Sequence, residues 1–378
     1  MSNLILSKSS FPPICGDGAR IYHIANRFSD KTLIIAYKSP YGDPIIEEDK
    51  NSNVSLKKIE LKLADAFKKN KVLKSYLDKN DAVVIYAMQP DLLFALNTVN
   101  KAKKEGLKLV IDVEDMPTYA HNAPYKFFNF YIKKRYKDLL KSADKIICIS
   151  EYLKNELISD FGIRGDKIEV IHNGVDMSFF SRDEAARVSL RKQYGVEDDE
   201  IVFIYSGAIV GWSGAVSCLD SFKKAVEENP KIKAFFIGNG DIEELEGRIN
   251  ELELENNAKY LGYFPFEKMP ELLSSGDVGL LPFKKDPLTE AASPIKIFEY
   301  MSVGMPVIST DMMGTKEVIK DNYNGILVKN DAEFVSALIK IAEDKDFYKK
   351  LKENSFETVK MYDWDFLTKR FEDLVNNS

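Results

Sequence analysis

Cysteine is scarce in this chain of 378 residues. Cys15, Cys148 and Cys218 are odd in number and far apart, which excludes a disulfide framework and makes a reducing compartment the default. The three histidines, His23, His121 and His172, are scattered, and no Cys/His spacing fits a zinc site. No apolar run approaches the roughly 18 residues that cross a bilayer. No low-complexity tract is present, and no charged-then-apolar leader precedes the first strand signal near Asn3. These absences leave a cytoplasmic protein that can still touch a membrane surface.

What remains is an ordinary globular composition, 45 % hydrophobic and 30 % charged, enough to bury real cores. The length corresponds to about two domains of roughly 100–200 residues each. The net charge of −6 is uneven. Residues 1–176 carry 28 Lys and Arg against 23 Asp and Glu, whereas the remainder carries 25 against 36. An N-terminal half with a positive balance expects an anionic partner. The excess is too small for a nucleic-acid duplex, so no nucleic acid is expected. An anionic membrane surface or a phosphorylated acceptor fits it.

Short apolar runs alternate with amphipathic stretches from end to end. Strands are predicted at Leu4–Leu6, Thr32–Ala36, Ala82–Ala87, Leu107–Asp112, Lys145–Ile149 and Ile168–Ile171. A second series covers Ile201–Tyr205, Lys233–Ile237, Ala258–Leu261, Val278–Leu281, Val307–Ser309 and Gly325–Val328. Strand–helix alternation predicts an α/β fold of parallel sheets covered by helices. Twelve strands suit two doubly wound, Rossmann-like domains facing across a cleft. The boundary is placed at His172-Asn173-Gly174-Val175-Asp176, where a strand ends in an Asn-Gly turn. Residues 1–174 form the first, acceptor-side domain and residues 175–360 the second. Residues 361–378 carry a last helix, read from about Asp363 to Val375, that can cross back to the first domain. Ligands of such sheets bind at the carboxyl ends of strands, which directs attention to the loops there.

The stretch Ala292 to Thr310, ASPIKIFEYMSVGMPVIST, carries the most chemistry. Ser293 reads as a helix N-cap and Pro294 as the first helical residue. Gly304 suits a left-handed C-terminus. A helix N-terminus attracts phosphate, and Lys296 in the first turn adds a full charge. Glu299, three residues on, shares its face and can accept two hydrogen bonds from a vicinal diol such as a ribose. Phosphate binder and diol binder one turn apart match a nucleoside diphosphate. Equally, Lys296 and Glu299 read as a surface ion pair on a capped helix.

The segment Ser293-Pro294-Ile295-Lys296-Ile297-Phe298-Glu299 resembles the donor-site signature of family 4 (group 1) retaining glycosyltransferases, which have the GT-B fold. Ile171 to Asp176 is similar to that family's inter-domain motif, and Phe236-Ile237-Gly238-Asn239-Gly240 to its strand-and-glycine loop. Tyr260-Leu261-Gly262-Tyr263, Ser275-Gly276-Asp277-Val278 and Leu281-Pro282 resemble later landmarks in order, and Tyr362-Asp363-Trp364 the start of its last helix. The likeness is strong over roughly residues 145–370. It implies a sugar nucleotide of UDP or GDP type as donor substrate, no cofactor, no metal, and Glu299 on the ribose. Two departures stand out. A second Glu that many relatives carry eight residues earlier is replaced by Ala291, with Glu290 one position off. The usual Arg and Lys after the first strand of the second domain are missing from Ser206-Gly207-Ala208-Ile209-Val210-Gly211-Trp212-Ser213-Gly214. Lys296 is therefore the candidate main charge on the diphosphate, with Gly207, Ser293 and Pro294 beside it. Gly238, Tyr263 and Phe264 are expected near the base.

In the first half, Cys15-Gly16-Asp17-Gly18 follows the first strand. By the resemblance, the loop with Gly16 and Gly18 reaches the donor phosphates or the acceptor; by themselves they equally read as a bare turn. The carboxylates Asp112, Glu114 and Asp115 end another strand. Glu114 or Asp115 is a candidate to orient the acceptor hydroxyl or steady an oxocarbenium-like state, with His121 as substitute. A solvated acidic loop is the bland alternative. Tyr125 to Lys141, YKFFNFYIKKRYKDLLK, has an apolar stripe at helical spacing and a basic face. It reads either as a core helix with a solvated face or as a peripheral contact with anionic lipid and a lipid-linked acceptor. Asp363-Trp364-Asp365 mimics the Asp-x-Asp of metal-dependent transferases but opens a helix instead of ending a strand, and is rejected. The resulting expectation is a retaining, metal-independent transferase acting on a glycan or lipid-linked hydroxyl, with the product in cell-surface polysaccharide or glycoconjugate. A sugar-nucleotide epimerase of the same fold and a non-catalytic nucleotide-sugar binder are the alternatives.

Overall fold

The computed structural model describes residues 2–7, 16–29, 31–37, 54–59, 82–86, 103–104, 106–115 and 129–377. Its contacts divide into two compact units, residues 1–173 together with 364–378, and residues 174–363.

The first unit contains β1 (Ser2–Ser7), α1 (Gly16–Arg27), β2 (Lys31–Tyr37), β3 (Val54–Ile59), β4 (Ala82–Tyr86) and β5 (Lys108–Val113). It continues through α2 (Asn129–Ser142), β6 (Lys145–Cys148), α3 (Glu151–Ser159) and β7 (Ile168–Val170). The seven strands form one sheet in the order β3-β2-β1-β4-β5-β6-β7. All its pairings are parallel. Interior strand β5 reads Lys-Leu-Val-Ile-Asp-Val, and Leu109, Val110, Ile111 and Val113 are fully buried. A continuous apolar run is what a parallel strand covered on both faces requires. Ser150 caps α3 by accepting from the Leu153 amide.

The second unit opens with α4 (Glu184–Tyr194), whose cap Asp183 accepts from the Ala186 amide. There follow β8 (Ile201–Ile209), α5 (Leu219–Glu228), β9 (Ile232–Gly240), α6 (Ile242–Glu251), β10 (Ala258–Gly262), α7 (Met269–Ser274) and β11 (Val278–Leu281). Next come α8 (Pro287–Ala291), α9 (Ile295–Ser302), β12 (Val307–Thr310), α10 (Thr315–Val318), β13 (Gly325–Val328), α11 (Asp331–Glu343) and α12 (Lys345–Val359). Six parallel strands run in the order β10-β9-β8-β11-β12-β13. The order reverses between β8 and β11, the kind of switch point at whose carboxyl side ligands bind in open α/β sheets.

After Asp363 the chain re-enters the first unit as α13 (Trp364–Asn376). Trp364, Leu367, Phe371 and Val375 bury there with Ile5, Ile21, Ile24, Phe28, Val110 and Ile147. Asp363 and Asp365 are engaged locally, Asp363 accepting from the Met177 amide at 3.2 Å and Asp365 pairing with Arg27 at 2.5 Å. Among the described residues, no helix is long and apolar enough to cross a membrane.

Two differences from the sequence reading concern extent. The strand β3 was not foreseen, and β8 and β9 run on past Tyr205 and Ile237, in register through Gly207↔Gly238 to Ile209↔Gly240. Gly207 therefore lies within a strand instead of in the loop after it.

Candidate functional site

In the second unit, the carboxyl ends of β8, β9 and β11 meet the start of α9. Tyr300 fixes that helix to the sheet. Its ring lies so close over β11 that a Cβ on Gly279 would come within 2.2 Å of it. Its hydroxyl accepts from the Ser206 amide at 2.7 Å and lies 3.1 Å from the Ser206 hydroxyl. Burial pushes the Tyr300 phenol up, so it stays neutral and serves as a fixed hydrogen-bonding post. One position earlier on α9, Glu299 is 3 % exposed. Lys296, one turn back, reaches it with Nζ 3.3 Å from Oε2 and keeps 32 % of its side chain exposed. The Lys296 stem runs past Gly207, whose added Cβ would lie 3.7 Å from Lys296 Cε.

Backbone approach on this edge is unusually close. Gly238 has φ +149°, and a Cβ there would stand 1.8 Å from the Gly207 carbonyl oxygen. Only glycine fits such a position. Beside it the Tyr260 hydroxyl donates to the Gly238 carbonyl at 2.8 Å. The neighbouring loops are tied down as well. Lys284 N donates to the Trp212 carbonyl at 2.9 Å, joining the loops after β8 and β11. Glu290 accepts from Met313 N at 2.8 Å, joining α8 to the loop after β12. The result is a buried carboxylate, a half-exposed ammonium and a glycine-lined strand edge held on a rigid frame. Such an arrangement accepts hydrogen bonds from a diol and offers one positive charge to an anion a turn away.

The helix start differs from expectation. Pro294, at φ −64° and ψ 124°, occupies the cap position of α9, and no side chain caps it. Ser293 is buried at 3 % and is not the cap. The cause is local: Ala292-Ser293 is the short link between α8 and α9, and it holds extended backbone until Pro294 sets the helical φ. At the other end Gly304, with φ +77°, follows the helix in the left-handed region. Ala291, where many relatives carry Glu, is fully buried. Ser213 is also fully buried, and its hydroxyl accepts from the amides of Val210 and Ala215. Tyr263 is 61 % exposed just past β10, and Phe264 packs against the core near Gly262.

In the first unit the structure brings together residues that the sequence left apart. Arg20, fully buried on α1, grips Asp112 with Nε at 2.8 Å and Nη2 at 3.0 Å. Its Nη1 donates to the His172 carbonyl at 2.9 Å and to Asn173 Oδ1 at 3.3 Å. Nε also lies 3.6 Å from Glu114 Oε1. Asp112 and Glu114 are 2 % and 6 % exposed, so these two are not a solvated acidic loop. Asp115 beside them is half-buried. The signal for Arg20 was in the sequence: it occupies an apolar position of α1, flanked by Ala19, Ile21 and Ile24, all buried. Gly16 and Gly18 lie in the first turn of α1, and not in a loop before it.

Cys15, His121 and residues 116–128 lie outside the described residues. Of the basic stretch Tyr125–Lys141, the described part starts with α2 at Asn129. Tyr136, Leu139 and Leu140 are its buried stripe. Lys133 pairs with Asp160 at 3.6 Å and lies 5.2 Å from the Phe161 ring centroid, so this lysine faces the protein as well as solvent. Among the described residues, no group of three His, Cys, Asp or Glu converges as a metal site.

Comparison with known proteins places this geometry. The profile of "Glycosyltransferase Family 4" matches residues 32–179, and that of "Glycosyl transferases group 1" matches residues 187–358. An uncharacterized glycosyltransferase of Methanocaldococcus jannaschii is 27 % identical over 60 % of this chain and 58 % of its own length. The first relatives found are thus matched over less than two thirds of their length. The phosphatidylinositol N-acetylglucosaminyltransferase GPI3 subunit of Saccharomyces cerevisiae is 25 % identical over 97 % of this chain and 81 % of its own. Among solved structures, Anabaena HepE in complex with UDP superposes with a TM-score of 0.80 at 19 % identity. Its complex with UDP-glucose superposes at 0.77 and 18 %. Both comparisons cover 100 % of the two chains. Two all-parallel α/β sheets, matched end to end by this fold and covered in turn by the two profiles, mean that the chain belongs to the group 1, family 4 glycosyltransferases of GT-B fold.

Proposed function

We propose that this protein is a retaining, metal-independent glycosyltransferase. It moves a hexose-like unit from a nucleoside-diphosphate sugar to a hydroxyl of a glycan or lipid-linked acceptor, without a further cofactor. The observation that carries the reading is the pairing of a carboxylate 3 % exposed, Glu299, with Lys296 at 3.3 Å, beside the glycine edge of β8. Glu299 stands one turn into α9, and burying a carboxylate is costly unless its oxygens are satisfied. A ribose diol satisfies it, while Lys296 and the uncapped first turn of α9 meet the diphosphate. Gly207, Ser293 and Pro294 line that anion, and Gly238, Tyr263 and Phe264 neighbour the base. The two HepE complexes, which contain UDP and UDP-glucose, support a uridine donor over a guanosine one.

In the transfer step the acceptor oxygen bonds to the anomeric carbon on the face from which the nucleoside diphosphate departs. The breaking bond is between that carbon and the phosphate oxygen, and the leaving phosphate takes the acceptor proton. Lys296 balances the charge that grows on the phosphate. Glu114 or Asp115, or His121 in their place, orients the acceptor hydroxyl or steadies the oxocarbenium-like carbon. The acceptor lies on a membrane-borne lipid or a growing surface glycan at the cytoplasmic face, and Tyr125–Lys141 contributes the contact.

A thermal-shift screen against UDP- and GDP-sugars, followed by transfer to glycan and lipid-linked acceptors, tests this reading. A bound donor raises the melting temperature in step with its occupancy, and the product linkage keeps the donor's anomeric configuration. No shift with any sugar nucleotide, or an inverted linkage, refutes it.

A further inference from the structure

Arg20, on α1, is a fully buried guanidinium to which the transfer step above assigns no role. Taking such a group out of water is costly, and replacing a buried ion pair by apolar residues is often neutral or stabilising. Its position on α1 is otherwise apolar, since Ile21, Ile24 and Ala25 around it are buried. An aliphatic side chain would satisfy packing there. We propose that Arg20 is a positioning residue that sets Glu114 for the acceptor, an inference that rests on the glycosyltransferase reading.

The geometry has three parts. Asp112 lies in β5 and Glu114 in the bend just after it, and Arg20 Nε reaches both, at 2.8 Å and 3.6 Å. The Arg20 fork holds Asp112 in two bonds, which fixes the plane and direction of the strand end that carries Glu114. The remaining nitrogen takes the His172 carbonyl and the Asn173 side chain, so the segment after β7 is registered against the same point. One guanidinium thus joins α1, the end of β5 and the end of β7. An ion pair serving stability alone would need only Asp112.

The charges follow from the same contacts. Arg20 sets one positive charge against two carboxylates, Asp112 at 2.8 Å and Glu114 at 3.6 Å from Nε. At 6 % exposure, the Glu114 carboxylate acts on an acceptor hydroxyl proton or a cationic anomeric carbon more strongly than it would in water. Lysine at position 20 keeps the charge but has no planar fork, so it cannot hold Asp112 in two bonds and reach residue 173 at once.

The test uses the full chain and measures kcat and KM for transfer from UDP-glucose, the dissociation constant of UDP, and the melting temperature. R20K is expected to lower kcat by about tenfold to 100-fold while the UDP constant moves less than about threefold. E114Q is expected to lower kcat as well. The decisive variant is R20K combined with E114Q. If Arg20 acts through Glu114, the double variant is no slower than E114Q alone. Multiplying effects, or a fall in melting temperature with kcat unchanged, overturn the role of Arg20. Should R20K not fold, D112N releases the same fork and takes its place in the cycle. A wild-type chain that neither binds UDP nor transfers sugar overturns the glycosyltransferase reading itself. That outcome is separate from a wild-type chain that transfers but shows no coupling.

Discussion

Lys296→Met keeps most of the side-chain stem and removes the ammonium, so it isolates the charge assigned to the diphosphate. Two facts set the size of the effect. The side chain is 32 % exposed, and its ammonium donates to Glu299 at 3.3 Å. A charge-assisted hydrogen bond contributes about 1.5–3 kcal/mol. Partial exposure screens it, which favours the lower half of that range, about 2 kcal/mol. That corresponds to roughly 30-fold in the dissociation constant of UDP. Uridine lacks the phosphates, so its affinity is expected to change by less than about threefold. Isothermal titration of both ligands into both proteins gives the four constants. A second effect works in the same direction for both ligands: removing Lys296 leaves the Glu299 carboxylate buried without its counter-ion. The comparison with uridine separates the two. An unchanged UDP constant, or an equal loss for UDP and uridine, refutes the assignment of Lys296 to the diphosphate.

Other perturbations probe the frame around it. Glu299→Gln is expected to weaken UDP and uridine alike, by about tenfold or more from loss of hydrogen bonds to a charged acceptor. Equal affinity for uridine would remove Glu299 from the ribose. Gly279→Ala places a methyl where the Tyr300 ring sits 2.2 Å away, and overpacking of this kind costs about 1–3 kcal/mol. Urea unfolding reads that cost as a lower midpoint, and UDP binding should weaken with it because Tyr300 also holds the Ser206 amide. Burial pushes the thiols of Cys148 and Cys218 and the phenol of Tyr205 up to about 12. The unfolded chain releases those thiol protons from about pH 9, so between about 9 and 12 it binds fewer protons than the native state. Stability therefore falls as pH rises through that window. An identical urea midpoint at pH 8 and pH 10.5 would contradict the buried, neutral state of these groups.

The fold was largely readable because its determinants are local. All twelve strands read from the sequence are present, since each is a compact apolar run between turn signals. β3 escaped because Val54-Ser55-Leu56-Lys57-Lys58-Ile59 breaks its alternation with two lysines, which suit an edge strand, and β3 is the edge of its sheet. The extension of β8 escaped because Ser206-Gly207 reads as a turn, whereas paired glycines here let two strand ends close on each other. On α9 the i,i+3 spacing of Lys296 and Glu299 was visible, but the depth of Glu299 depends on β8 and β11 and was not. An apolar stretch of α1 hints that Arg20 is buried, but its partnership was out of reach for the same non-local reason. Its partners stand 92 and 152 residues away in sequence, so no window along the chain contains both ends of the interaction.

The return of α13 to the first unit also bears on how the protein is made. The core around Ile5, Ile24, Val110 and Ile147 includes Trp364, Leu367, Phe371 and Val375, which leave the ribosome after all of those residues and after the second unit. The second unit, residues 174–363, is contiguous and is complete before that moment. Synthesis order thus favours closure of the nucleotide-side unit while the first unit still exposes an apolar groove. Domains usually fold as units during synthesis, N-terminal first, and here the topology inverts that sequence. The nascent first unit is accordingly the part whose exposed surface chaperones would meet, and a ribosome stalled before Trp364 would carry one finished unit and one unfinished one.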